Sequence, residues 1–234
     1  MTQKPDDTAY ATIAASGADA AEFLQNQLTT DVRELEAGAD PVLAAWCNPK
    51  GRVIALFHLR REDGSFRLAL PAALADDVQR RLTMFRFRSK VDLDVTALEP
   101  RDIGLDAGSD LEQWRRGRLE AGIAEIGPAQ SEEFTPHMLN LDLLGAVSFD
   151  KGCYPGQEIV ARTHYRGATK RRMQRYTTAG TAAPGDKVML GERSVGEVVN
   201  TLGADLLAVV PVDDAAGALD VNGARLALQP LPYG

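Results

Sequence analysis

The 234-residue sequence predicts an α+β body followed by a small C-terminal β-barrel. Three observations carry this reading. Residues 42–70 alternate apolar, strand-like runs with turn sequences, and helical apolar spacing appears at 19–28 and 72–85 without strict βαβ alternation. After Tyr176 the texture changes to short apolar runs broken by Gly, Pro and Asp. The expected boundary lies there, with the body over 1–176 and the barrel over 177–234.

Taken in order, Ala20, Phe23, Leu24 and Leu28 share one helical face, Ser16 with Asp19 resembles a capping box, and Gln25 and Gln27 fall off the apolar stripe. Residues 42–46 and 53–59 read as strands joined by Asn48-Pro49-Lys50-Gly51, and Glu62-Asp63-Gly64-Ser65 turns the chain into a third strand at 66–70. Pro71 suits the first position of a helix carrying Leu74, Val78, Leu82 and Phe85, and Val91, Leu93 and Val95 alternate as a strand. A further helix is expected from Thr135-Pro136 through Met138, Leu139, Leu141 and Leu144. In the barrel, 187–190, 195–199, 206–210 and 225–228 are the strand candidates.

Composition excludes several classes. A hydrophobic content of 44% and a charged content of 25% are ordinary for globular proteins, and a net charge of -7 disfavours a general nucleic-acid binder. Two cysteines are too few for a disulfide framework or a four-thiolate cluster within one chain, so reduced, cytoplasmic chemistry is expected. Residues 1–10 are polar and no apolar run approaches the roughly 20 residues that span a bilayer, which argues against secretion and membrane insertion.

The segment KGCYPGQE, residues 151–158, concentrates the chemistry. Gly152 and Gly156 allow tight turns and close approach of a ligand, and Pro155 is placed to open a helix. A thiol at a helix N-terminus with Lys151 two residues before it has two reasons for a lowered pKa, so Cys153 and Lys151 are the catalytic candidates. The competing reading makes Cys153 a small buried hydrophobe. Cys47, after Ala44, Ala45 and Trp46, is assigned to packing. Gln157 and Glu158 fall in the expected first helical turn, where a carboxylate serves either the dipole or a ligand.

Residues 159–185 contain no Asp or Glu, whereas Arg162, Arg166, Lys170, Arg171, Arg172 and Arg175 make a positive run. It fits either an anionic ligand or a solvated charged face. A second run, Arg80, Arg81, Arg86, Arg88 and Lys90, interleaves Phe85 and Phe87, although Phe85 also continues its helix's apolar stripe. His58, His137 and His164 show no metal-ligand spacing.

With these residues in hand, the sequence resembles the YgfZ family of folate-binding proteins, relatives of the glycine cleavage system aminomethyltransferase. The resemblance rests on FLQNQLTTD at 23–31, NPKGR at 48–52, RLEAGI at 118–123, EFTP at 133–136, and above all KGCYPGQE followed by RGATKR at 166–171. It implies a folate-binding α+β body with a C-terminal barrel, tetrahydrofolate as cofactor, and a role in assembling or repairing iron-sulfur proteins, including a radical enzyme that thiomethylates tRNA. The implied cofactor-binding residues are Gln27, Asp31, Arg118, Glu120, Tyr154, Gln157, Glu158 and Arg162. Among them Glu120 is the acceptor for the pterin's adjacent donors, while Arg118 or the run from Arg162 meets the glutamate tail. Where related aminomethyltransferases carry carboxylates on the strand after Gly51, this chain has Ala55 and Leu56, leaving no group to manage a folate nitrogen's proton.

The expectation is therefore a monomeric, folate-dependent accessory factor whose Cys153 works with an iron-sulfur client or assembly protein. A one-carbon transferase and an RNA-binding factor with a weak tRNA contact are the alternatives.

Overall fold

The computed structural model describes residues 9–167 and 169–233, so most of the polar N-terminal segment, residues 1–8, and the final residue of the expected barrel lie outside the described residues. The chain forms two compact units. The first takes in residues up to Ser109 with Ile126–Glu133 and Gly145–Ile159; the second takes in Asp110–Glu125, Phe134–Leu144 and the chain from Val160.

In the first unit the order is β1 (Tyr10–Ser16), α1 (Ala20–Gln25), β2 (Val42–Cys47), β3 (Val53–Glu62), β4 (Ser65–Pro71), α2 (Ala72–Met84) and β5 (Asp92–Ala97). The strands form one antiparallel sheet in the order β2-β3-β4-β1-β5. The meander 42–71 is as the turn sequences require. The strand β1, Ala-rich and weakly alternating, was not expected, yet it inserts between β4 and β5. Helix α2 buries Leu74, Val78 and Leu82 against β1 and β5. Pro71 precedes this helix as its N-cap instead of occupying its first turn.

Helix α1 is short and shows no Ser16 capping box. Asp19 is its N-cap without a side-chain cap bond, because its Oδ2 instead accepts from the Lys90 amide at 2.6 Å. Gln25 and Gln27 are buried, contrary to the helical-wheel expectation. The helix ends at Gln25, so the wheel no longer governs Gln27, and each amide has an internal donor: Val32 N at 2.8 Å for Gln25 and Trp46 Nε1 at 3.3 Å for Gln27.

A charged cluster lies inside this sheet. Asp102, fully buried, accepts from Thr12 Oγ1 at 2.8 Å, Arg60 Nη2 at 2.9 Å and Arg67 Nη2 at 2.8 Å. Burial alone would raise the Asp102 pKa, but these donors and the Glu99 amide outweigh it and hold the carboxyl at about 2.

The second unit contains α3 (Leu111–Glu120), the larger part of α4 (Gln157–Arg166), and strands β6 (Arg171–Thr178), β7 (Lys187–Leu190), β8 (Arg193–Leu202), β9 (Asp205–Pro211), β10 (Leu219–Val221) and β11 (Ala224–Gln229). The six strands close into a barrel in the order β10-β11-β6-β9-β8-β7. Tyr176, Val198, Leu206, Val210, Leu219 and Val221 are among the side chains that fill it. Its strand β6 takes in residues 171–176, ahead of the expected boundary.

The helix expected at 135–144 is absent. That segment is a series of turns, closed by bonds such as Leu141 N to Pro136 O and Leu143 N to Asn140 O. Asn140, at φ 58°, breaks any helical path, and its side-chain amide donates to Met173 O at 2.8 Å.

Candidate functional site

The first unit holds all of KGCYPGQE, and two of its side chains, Lys151 and Tyr154, are buried. Lys151 is only 7% exposed; its Nζ donates to Leu28 O at 2.6 Å and Thr30 O at 2.8 Å, and lies 5.5 Å from the Tyr154 ring centre. The same loop is tied by Thr29 Oγ1 to Ala146 O at 2.6 Å, by Ala45 N to Thr29 Oγ1 at 2.9 Å and by Ser148 N to Thr29 O at 2.9 Å. The KGC lysine therefore clamps the LTTD loop. Burial pushes its ammonium down to about 8, with the Asp31 charge opposing and the Arg33 charge adding to the shift.

Tyr154 is 6% exposed and burial, with the neighbouring Cys47 adding to it, raises its pKa. Cys47 itself is buried at the end of β2, and desolvation pushes its thiol up to about 12, as suits a packing cysteine. Gly156, at φ 80°, meets the Asn48–Arg52 turn backbone to backbone: a Cβ there would sit 2.5 Å from Asn48 O and 2.7 Å from Gly51 Cα. The Asn48 side chain shapes that turn, accepting from Lys50 N at 2.9 Å and Arg52 N at 3.0 Å.

Against this inward scaffold, Cys153 is exposed. The two grounds for its activation need correction. Helix α4 starts at Gln157, not at Pro155, so the thiol lies four residues outside a dipole whose influence fades within a turn. The Lys151 ammonium is committed to two carbonyls. Gln157, half-buried, and Glu158, exposed, do occupy the first turn of α4.

Gln27, Asp31, Lys151, Cys153, Tyr154, Gln157 and Glu158 all belong to the first unit, where Lys151 joins the 28–30 loop to the Tyr154 ring. Asp31 is half-buried and accepts from Arg33 N at 3.0 Å. Arg118, Glu120 and Arg162 belong to the second unit. Arg118, 7% exposed, turns inward, donating Nη2 to Ala124 O at 2.9 Å with its guanidinium 4.8 Å from the Trp114 ring centre, which removes it as a ready partner for a carboxylate tail. Glu120 ends α3 with an exposed carboxylate, and Arg162 is exposed on α4.

The positive run is divided by partners invisible in its own stretch. Arg172 pairs two-pronged with Asp142 at 2.8 and 3.0 Å, Arg175 meets Asp205 at 2.8 Å, and Arg171 donates to Val195 O. The second run is similar: Arg80 and Arg81 pair with Asp77, Arg81 also with Glu132, and Arg86 with Asp92.

A cavity of about 760 Å³ in the first unit is lined by Gln27, Asn26, Phe85, Phe87, Arg88 and the carboxylates Asp19 and Glu22, among others. Of the residues anticipated as cofactor ligands, Gln27 lines it. Phe85 follows the end of α2 and packs edge-on against Trp46, while Phe87 is 88% exposed at φ 46°. The aromatic-basic interleaving at 85–90 is the sequence signal for this wall, and Phe85 belongs to it because α2 ends at Met84.

A prediction separates clamp from catalyst. Lys151→Met should cost about 1–3 kcal/mol, because two buried carbonyls lose their donor. Amide exchange should quicken at residues 28–32 while the alkylation rate of Cys153 holds. A changed alkylation rate with unaltered exchange would instead make the ammonium a partner of the thiol.

No protein-family model matches the chain. An uncharacterized protein of Haemophilus influenzae is 34% identical, covering 74% of this chain and 72% of that one. The tRNA-modifying protein YgfZ of Klebsiella pneumoniae is 30% identical, with 97% of this chain and 91% of that protein aligned. The chain belongs to the YgfZ family. A second YgfZ relative, the tRNA-modifying protein of Sodalis glossinidius, is 31% identical over 96% of this chain and 90% of its own. Among solved structures, the glycine cleavage system aminomethyltransferase T from Bartonella henselae superposes with a TM-score of 0.72 at 16% identity, covering 97% of this chain and 85% of that one. That likeness establishes a shared α+β fold with the barrel. In this YgfZ-family chain, Ala55 and Leu56 on β3 are buried core side chains. Among the described residues, no helix is long and apolar enough to cross a membrane.

Proposed function

We propose that this YgfZ-family chain is a tetrahydrofolate-binding accessory factor in tRNA modification, supporting an iron-sulfur client enzyme in the cytoplasm through the thiol of Cys153. The observation that carries this reading is the contrast within KGCYPGQE. Lys151 clamps a loop, Tyr154 is buried and Gly156 interlocks with the Asn48 turn, all of which holds one cysteine at the surface. An exposed thiol on a rigid mount is suited to a partner's chemistry. With Cys47 buried, one accessible thiol per chain calls for ligands from another protein if a cluster is handled.

The 760 Å³ cavity suits a folate in kind, since small-molecule sites run to about 300–1,000 Å³. Phe85 and Phe87 offer aromatic faces, Asn26 and Gln27 amides, Asp19 and Glu22 acceptors for amino and amide donors, and Arg88 a cation for the glutamate tail. Tetrahydrofolate would supply a carrier for one-carbon units. Glu120, exposed in the second unit, is the acceptor to which the family resemblance points. Aminomethyl transfer is the weaker reading, because the β3 positions that would carry a proton-handling carboxylate hold Ala55 and Leu56.

The test is Cys153→Ala. Tetrahydrofolate affinity by titration calorimetry should match the wild type, while complementation of a deletion strain should fail to restore the tRNA modification measured by mass spectrometry. Full restoration by the variant would remove the thiol from the function.

A further inference from the structure

We propose that the exposed face of α4 carrying Arg162, Tyr165 and Arg166 is an RNA-docking site, with Tyr165 stacking on an unpaired base and the two arginines on flanking phosphates. This rests on the tRNA-related reading above and adds a surface to it.

Four features of the second unit support it. Arg162 and Arg166 are four residues apart on α4 and so share a face, with Tyr165 beside them. All three are exposed, Tyr165 at 66%, and with the small Ala161 they line an open hollow of about 510 Å³. The His164 ring lies edge-on to Tyr165 at 4.9 Å, which steadies the aromatic platform.

The fourth is charge. The chain has 33 acidic against 26 basic residues, so an arginine has carboxylates in excess to choose from. Arg172, Arg175 and Arg115 each take one, and Arg81 takes two. Among the described residues, Arg162 and Arg166 form no ion pair within 4 Å, even though Glu158 stands one turn before Arg162. Two unpaired guanidinium groups flanking an exposed ring are the elements of sequence-tolerant single-strand binding, in which cations follow phosphates and a base stacks on the ring.

The experiment measures bulk tRNA binding by fluorescence anisotropy across a salt series, with tetrahydrofolate calorimetry on the same preparations. The double variant Arg162→Gln/Arg166→Gln should lower the slope of log affinity against log salt by about 1.4, at about 0.7 per single-strand phosphate contact. Tyr165→Ala should weaken binding by roughly 5- to 100-fold with the slope unchanged, and Tyr165→Phe should bind as the wild type does. Wild-type affinity and slope in the double variant would overturn the proposal. So would a loss confined to phosphatidylserine vesicles, which would make α4 a membrane contact, or a loss of folate affinity with tRNA binding intact. A wild-type protein that takes no tetrahydrofolate yet shows these tRNA losses would defeat the folate reading and uphold the RNA face.

Discussion

Gly156→Ala should destabilise the protein by about 3 kcal/mol or more, measured by urea unfolding. Two costs combine. A left-handed backbone at φ 80° costs an L-residue about 1–2 kcal/mol, and the new Cβ would press to 2.5 Å of Asn48 O and 2.7 Å of Gly51 Cα. Both neighbours are backbone atoms of a turn fixed by the Asn48 side chain, so neither can swing aside as a flexible side chain would. Relief requires parting the 48–52 turn from the KGCYPGQE segment, and the reactivity of Cys153 toward alkylating agents should change with it. Gly152→Ala is the control. It lies one residue before the cysteine, its φ is not in the left-handed region and a Cβ there meets nothing within 4 Å, so the change should stay within about 0.5 kcal/mol. Equal losses at the two glycines would mean that the segment needs general flexibility and not this interlock.

The comparison of these glycines shows what the sequence could reveal. Both were read as giving turns and close approach, but only Gly156 has a partner backbone, and that partner lies more than a hundred residues earlier. Features written in local spacing were legible: the 42–71 meander from its turn residues, α2 from Leu74, Val78 and Leu82, and four barrel strands from their apolar runs. Features set by distant contacts were not. Nothing near Lys151 announces that its ammonium serves Leu28 and Thr30, and nothing within residues 159–185 announces Asp142 and Asp205 as partners of Arg172 and Arg175. The family resemblance located the thiol segment, but the turn at Gly156 delays the helix expected from Pro155 to Gln157, which takes Cys153 beyond the reach of its dipole. The segment at 135–144 had the apolar content of a helix. Its turns follow instead from Asn140, whose positive φ is held by a bond to Met173.

The same blindness to distance hid Asp102, whose removal should have the largest effect on the first unit. Asp102→Ala should cost about 3–5 kcal/mol, because it leaves buried guanidinium groups without their central carboxylate. Arg60 would keep Glu62, and Arg67 would keep Glu99, but both of those acids are more exposed than Asp102 and are each shared with the exposed Arg101. The carboxyl's position at about 2, below its ordinary 3.8, also fixes the pH dependence. A carboxylate whose pKa is lower folded than unfolded binds its proton more weakly in the native state, so between these two values the unfolded chain holds more protons and stability rises with pH. The contribution, about 2 kcal/mol, is complete above about pH 4 and is lost as pH falls toward 2. Asp102→Asn keeps the shape and part of the hydrogen bonding while removing the charge, so it should be less damaging than alanine and should flatten the acid limb of the stability curve. An acid limb in Asp102→Asn as steep as in the wild type would assign acid sensitivity to other carboxylates and leave Asp102 a packing residue. The location gives the test its bearing on function: Arg60 and Arg67 pair opposite one another on β3 and β4, so Asp102 fastens the middle of the sheet whose β2–β3 turn meets Gly156. If the mount for Cys153 depends on that sheet, Asp102→Asn should also change the thiol's alkylation rate at neutral pH, where the wild-type carboxylate is charged.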